Sequence, residues 1–210
     1  MEPVRRTLLR ESAYEAIRDA IVRGELAPGA SVRDADLAAR LGLSRAPVRD
    51  ALARLTGEGL VETKPQSYTR VTPLDPGDVR DAAAVVRAMH ELAARTAVPR
   101  LTPDEVEEMR AANRRFAAAV RAGEVDAAMT ADDALHDVLV RVAANRAAAA
   151  TIERYTPLIR RIERVRFGPA SGRRSAVRHD ELIDACAGGD VVAAVRVTAR
   201  IWESLEDLAR

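Results

Sequence analysis

Two sets of side chains in this sequence have the types and spacing to do chemistry. Asp132 and His136 stand four residues apart and so share one face of a helix. Met129, Leu135 and Leu139 lie near the same face, so both polar groups are expected to point inward. His179 likewise shares a face with Leu182, Ile183 and Cys186. A carboxylate and two imidazoles turned into an apolar interior need partners. Either they converge on a divalent ion, for which zinc or nickel suits such ligands, or Asp132 hydrogen-bonds a histidine or an arginine.

The second set is basic. In "LSRAPVRDALARL" (43–55), Val48, Leu52 and Leu55 form one apolar stripe, and Arg45 and Arg49 stand beside it four residues apart. Ser44 is the expected N-cap, which puts Pro47 in the first turn, where its missing N–H loses no intrahelical bond. Arginines at a helix N-terminus can grip a guanine edge through two bonds or clamp a phosphate. The free amides of that first turn favour a phosphate as well.

The elements that must position these groups are mainly helical. Helices are expected over 12–23, from Asp34 as cap through Leu41, over the arginine stretch, and then over 76–98, 103–122, 125–144, 146–166, 176–188 and 190–209. Thr102, Pro103 and Glu105 spell a capping box with proline at the first helical position. Residues 60–63 and 69–72 read as short strands joined by the polar tip Lys64 to Tyr68. Three helices with a tight turn before the third, followed by a hairpin, make a winged helix-turn-helix. "TPLDPGD" marks a linker, which predicts a winged helix-turn-helix domain at 1–73, a linker at 74–79 and an all-helical bundle at 80–210. "GPASGRRS" (168–175) reads as a flexible loop.

Composition narrows the function classes. The 210 residues carry 33 Lys and Arg against 32 Asp and Glu, for a net charge of +1. Residues 40–70 hold 6 basic and 3 acidic residues, a local patch on an otherwise balanced chain. No apolar run approaches the roughly 18 residues of a membrane span, and the N-terminal stretch has no apolar signal region. The single cysteine, Cys186, excludes an intrachain disulfide and suits a reducing cytoplasm, so a bacterial cytoplasmic location is expected.

The stretches "IRDAIVRGELAPGASV" and "LAARLGLSRAPVRDALARLTGEGLV", with the hairpin after them, resemble the DNA-binding domain of the GntR superfamily of bacterial transcription regulators. The resemblance implies a homodimer on a palindromic double-stranded operator, with Ser44, Arg45, Ala46 and Arg49 at the DNA and the wing dipping toward the minor groove. Arg33, Lys64, Gln66 and Ser67 are the further expected contacts. The sequence departs from that pattern twice: Ala35 stands where some relatives carry an arginine, and the wing tip "KPQSY" lacks the usual glycine.

"RAMHE" (87–91), "DDALHDVLVRVAANR" (132–146) and "RHDELIDACAGGD" (178–190) resemble the FCD effector domain of the FadR-type branch. That resemblance implies a pocket for a small organic acid, with Arg87 lining it and Asn145 as a recurrent neighbour. His90 is one turn from Arg87 and is expected either near this pocket or in the core. Many members bind a divalent metal through one Asp and three His; Asp132, His136 and His179 match three of these. The fourth falls at Ile201, which shares an inward face with Ala194, Val197, Leu205 and Leu208 and cannot coordinate.

The expected function is a ligand-responsive regulator, a repressor released by a metabolite, with or without a metal. An architectural DNA-binding dimer is the alternative. A metal-dependent enzyme is not expected, because no separate motif supplies a general base and the helix-turn-helix would be unexplained.

Overall fold

A computed structural model describes the backbone of residues 4–208 and the side chains of 9–165 and 167–203. The chain divides into two compact units, residues 1–75 and 76–210.

The first unit is built on three helices and a hairpin: α1 (Val4–Val22), α2 (Asp34–Leu41), α3 (Arg45–Gly57), β1 (Val61–Lys64) and β2 (Tyr68–Val71). Tyr14, Ile17 and Ile21 bury one face of α1 against Val48, Leu52 and Leu55 of α3, as the apolar spacing predicts. Helix α1 starts well before residue 12, where its apolar pattern begins. Gly42, at φ 65°, ends α2 in the left-handed conformation that glycine tolerates, and this sets the tight turn into α3. The antiparallel strands pair Val61 with Val71 and Lys64 with Tyr68, one residue off the expected limits. A short extended segment that the sequence pattern did not reveal joins their edge. Val32 N donates to Thr69 O at 2.9 Å and Val71 N to Ala30 O at 2.9 Å.

The second unit contains α4 (Pro76–Ala97), α5 (Pro103–Ala122), α6 (Val125–Ala143), α7 (Arg146–Arg166), α8 (Pro169–Ala187) and α9 (Val191–Leu208). Helix α4 begins at Pro76, inside the segment 74–79 read as a linker. It packs on α6, α7 and α9, while α5 packs on α6 and α8. The Thr102–Glu105 capping box forms, with Glu105 N donating to Thr102 Oγ1 and Thr102 N to Glu105 Oε2. No helix of the described residues is long and apolar enough to cross a membrane.

The expected loop at 168–175 is a correction: α8 already starts at Pro169. Proline at the first helical position forfeits no bond. Ser171 Oγ accepts from Gly168 N at 3.1 Å and donates to Gly168 O at 2.8 Å, which fastens the first turn. Gly172 is a packing glycine, since a Cβ there would lie 2.8 Å from both methyls of Val120 on α5. It lets two helices approach closely and does not loosen the chain.

Candidate functional site

Helix α3 presents its N-terminal end to solvent. Ser44 is its N-cap, though its hydroxyl makes no capping bond, and Ser44, Arg45, Ala46 and Arg49 are all exposed. Pro47 and Val48 are buried beneath them, so the arginines sit on a fixed platform. Beside this end lies an open groove of about 820 Å³ between the helices and the wing. Its lining includes Arg33, Arg49, Lys64, Gln66 and Ser67, which brings five of the expected contacts onto one concave surface.

The wing tip replaces the missing glycine by strain. Ser67 N donates to Lys64 O at 3.0 Å, with Pro65 and Gln66 between them, and Gln66 adopts φ 59°. Proline second and a positive φ third is the arrangement of a type II turn, in which glycine usually takes the third place.

Asp34 departs from its expected capping role. It is the first helical residue of α2, and its Oδ2 accepts from Arg49 Nε at 2.6 Å. That bond, with further help from the charges of Arg49 and Arg45, holds its carboxyl below the usual carboxylate range.

In the helical unit, Asp132, His136 and His179 converge, with one potential ligand atom from each lying within 4.8 Å of the others. Asn113 orients His179. Its Nδ2 donates to Ala176 O at 3.0 Å and to Asp180 Oδ1 at 2.7 Å, so its Oδ1 must accept from His179 Nδ1 at 3.1 Å. In a neutral ring with its proton on Nδ1, Nε2 is the acceptor. His179 Nε2 is fully buried and lies 3.2 Å from Asp132 Oδ1, its ion-pair partner when the ring is charged. With the ring neutral, Nε2 and Asp132 Oδ1 are both acceptors, and with His136 they could hold a cation between them.

The other oxygen of Asp132 is taken. Arg160 Nη2 donates to Asp132 Oδ2 at 2.6 Å, and the same guanidinium reaches Asp133 at 2.5 Å and Glu163 at 2.6 Å. Burial opposes the charge on Arg160, but these carboxylates keep it protonated well above its ordinary range. Burial likewise opposes the charge on Asp132, and Arg160 overcomes it and holds the carboxyl well below the usual value. Burial pushes Glu163 up to about 7 and His136 down to about 4.

The rings extend the cluster. His136 and His179 have centroids 5.3 Å apart, close to the roughly 5 Å that two imidazoles sharing a tetrahedral ion would show with metal–nitrogen bonds of about 2 Å. His90 is buried, lies 5.6 Å from His136 and stacks on Trp202 at 4.5 Å, and burial lowers its pKa well below the ordinary value. Ile201 is buried on the same helix as Trp202 and adds no ligand. The side chains of Leu205 and Leu208, expected on its face, lie outside the described residues.

Arg87 and Asn145 engage groups outside the Asp132–His136–His179 set. Arg87 pairs with Glu203 at 3.3 Å and Glu91 at 3.6 Å. The side chain of Asn145 caps α7, accepting from Ala147 N and Ala148 N at 3.1 Å each. The sequence reading missed Arg160, Asn113 and Trp202. A polar residue inside an apolar helical stripe was the available signal for Asn113, between Met109 and Phe116.

Two family profiles match the chain: "Bacterial regulatory proteins, gntR family" over residues 9–71 and "FCD domain" over 81–204. Among curated relatives, an HTH-type transcriptional regulator of Streptomyces ambofaciens is 42% identical over 73 residues, covering 35% of this chain and 31% of the relative. A "Probable D-xylose utilization operon transcriptional repressor" of Paenarthrobacter nicotinovorans is 36% identical over 101 residues, covering 46% of this chain and 45% of its own length. The matched stretches thus span less than half of either relative. Among solved structures, McbR/YncC of E. coli superposes with a TM-score of 0.83 at 20% identity, over 93% of this chain and 94% of that one. A GntR regulator from Rhodococcus sp. RHA1 gives 0.78 at 21% identity, over 95% and 96%. At these identities the structural likeness speaks for the fold alone.

Proposed function

The chain belongs to the FCD-domain family and carries a gntR-family DNA-binding domain, and we propose on that premise that it is a repressor whose dimer binds a palindromic operator and responds to a small carboxylate. It is a regulator of transcription, as its family and relatives are, and not an enzyme.

The observation that carries the DNA half of this reading is the convergence of Arg33, Arg49, Lys64, Gln66 and Ser67 on one groove beside the exposed start of α3. An α-helix entering the major groove by its N-terminus puts Ser44, Arg45, Ala46 and Arg49 against base edges and phosphates. The wing tip with Lys64, Gln66 and Ser67 then follows the backbone toward the minor groove. Arg49→Ala is expected to weaken binding to a selected operator by roughly ten- to a hundredfold while leaving the thermal midpoint unchanged. Operator binding as tight as the parent's would sink the assignment.

The effector half rests on the seat between His179 Nε2 and Asp132 Oδ1. Asp132, His136 and His179 would hold a divalent ion such as zinc or nickel, which when bound supplies an open position for an organic acid. Arg160 fixes the carboxylate of Asp132, Asn113 fixes the ring of His179, and the buried surroundings exclude water. An effector favouring one arrangement of the dimer shifts its affinity for DNA by that same preference. Elemental analysis of purified protein is expected to find about one ion per chain in the parent and a large loss in His136→Ala. Equal content in both would remove the site.

A second reading has a specific observation behind it: Arg160 already neutralises Asp132, and Ile201, where the resemblance puts the fourth ligand, cannot coordinate. In that case the acid binds with no ion. It would raise the thermal midpoint equally with and without a chelator.

A further inference from the structure

We propose that Asp34 is a positioning residue that aims Arg49, and thereby makes the operator base read by Arg49 a guanine. This rests on the reading of α3 as the DNA-contacting helix. Asp34 Oδ2 takes the Nε–H of Arg49 at 2.6 Å. With Nε occupied, both terminal amino groups of the guanidinium are left pointing away from the acid. They are the fork that matches O6 and N7 on the major-groove edge of guanine. A hydrogen-bonded Nε also fixes the plane of the fork.

Without an anchor, Arg49 would be a loose side chain. Its side chain is 66% exposed, and Asp34 is the one acid it is paired with in the described structure. Asp34 itself is held firmly, since it opens a helix whose Leu37 and Ala38 are buried in the core. Ordering the arginine before it meets DNA removes that cost from the binding step. Otherwise a carboxylate in this groove is out of place. It lines the same surface as Arg33, Arg49 and Lys64, where a polyanion is expected and a negative charge repels it. A charge for the helix N-terminus does not account for it either, because Asp36 supplies one in the same turn and makes no such pair among the described residues.

The test is operator selection from random duplex DNA with the full chain, comparing the parent with Asp34→Ala, Asp36→Ala and Arg49→Ala. One guanine in each half-site should be strongly preferred by the parent and lost with Arg49→Ala. Asp34→Ala should relax the preference at that same position about tenfold, with the other positions unchanged. Its binding to scrambled DNA should be equal or stronger, because a negative charge has left the groove. Asp36→Ala should keep the parent's guanine preference, with a thermal midpoint matching that of Asp34→Ala. Full guanine preference in Asp34→Ala would overturn the proposal, as would an equal loss in Asp36→Ala. If Arg49→Ala keeps the parent's operator binding, the underlying reading of α3 fails, a result separable from failure of Asp34 alone.

Discussion

The molecule pairs a carboxylate with an arginine in two contrasting settings. Asp34 and Arg49 meet at 2.6 Å in an open groove, the arginine 66% exposed. Asp132 and Arg160 meet at the same distance inside the bundle, the arginine only 8% exposed. Distance alone therefore says little about what a pair does. In water the attraction nearly balances hydration and side-chain entropy, so the first pair adds little to stability, while the terminal amino groups of its arginine stay free for DNA. In the bundle the charges have been desolvated, and each member is committed to the others. Exposure turns the contact into a device for orientation, and burial turns it into a structural support that also orients a ligand.

The strongest way to break the contrast is Arg160→Met. It leaves Asp132, Asp133 and Glu163 without their shared cation, and a loss of about 3–5 kcal/mol in unfolding free energy is expected. Denaturant unfolding would measure it, and a loss below about 1 kcal/mol would mean that the network is not load-sharing.

Changing Glu163→Gln sharpens the contrast through pH. Glu163 is raised to about 7 by burial, above its unfolded value. Between the unfolded and folded values the native state holds the extra proton, so this group makes stability fall as pH rises toward 7. His136, pushed down to about 4, acts oppositely, because the unfolded state binds its proton more readily up to about 6.5 and stability rises with pH. Arg160 and Asp132, which act on Glu163, stay charged through this range. Removing the Glu163 titration should therefore make the thermal midpoint climb more steeply between pH 5 and 7 than in the parent. Parallel curves for the two proteins would contradict the assignment.

The smallest effect belongs to the open pair. Asp34→Ala should leave the thermal midpoint at the parent's value, even though its effect on base preference is large. A midpoint lowered as far as that of Arg160→Met would place Asp34 among the structural pairs.

What was legible in the sequence was local. The stripe of Val48, Leu52 and Leu55, the Thr102 capping box and the i, i+4 pair Asp132–His136 are all written within one or two turns of helix. The partners that decide their behaviour are written elsewhere. Asp132 meets an arginine 28 residues on, and His179 is oriented by an asparagine 66 residues back, separations with no periodicity to read. Gly172 looked like a loop residue because its reason, Val120, lies on another helix. Asp34 carried the wrong role for the opposite reason: a local rule for helix caps was available, and a tertiary partner, Arg49, outbid it. Arg87 and Asn145 were expected at a pocket by resemblance; Arg87 forms an ion pair with Glu203, and Asn145 caps α7 and lines an open pocket with Arg141 and Arg146.

Trp202 is the chain's single tryptophan, and it stacks on His90 with its ring 5.9 Å from that of His136. Its indole N–H is buried with no acceptor. The chain's entire indole emission therefore originates beside the histidine cluster. Protonation of an imidazole, a paramagnetic ion or an acceptor arriving at that N–H would each change its intensity or colour. The bundle thus carries a native optical gauge at its most chemically active point, readable without any label.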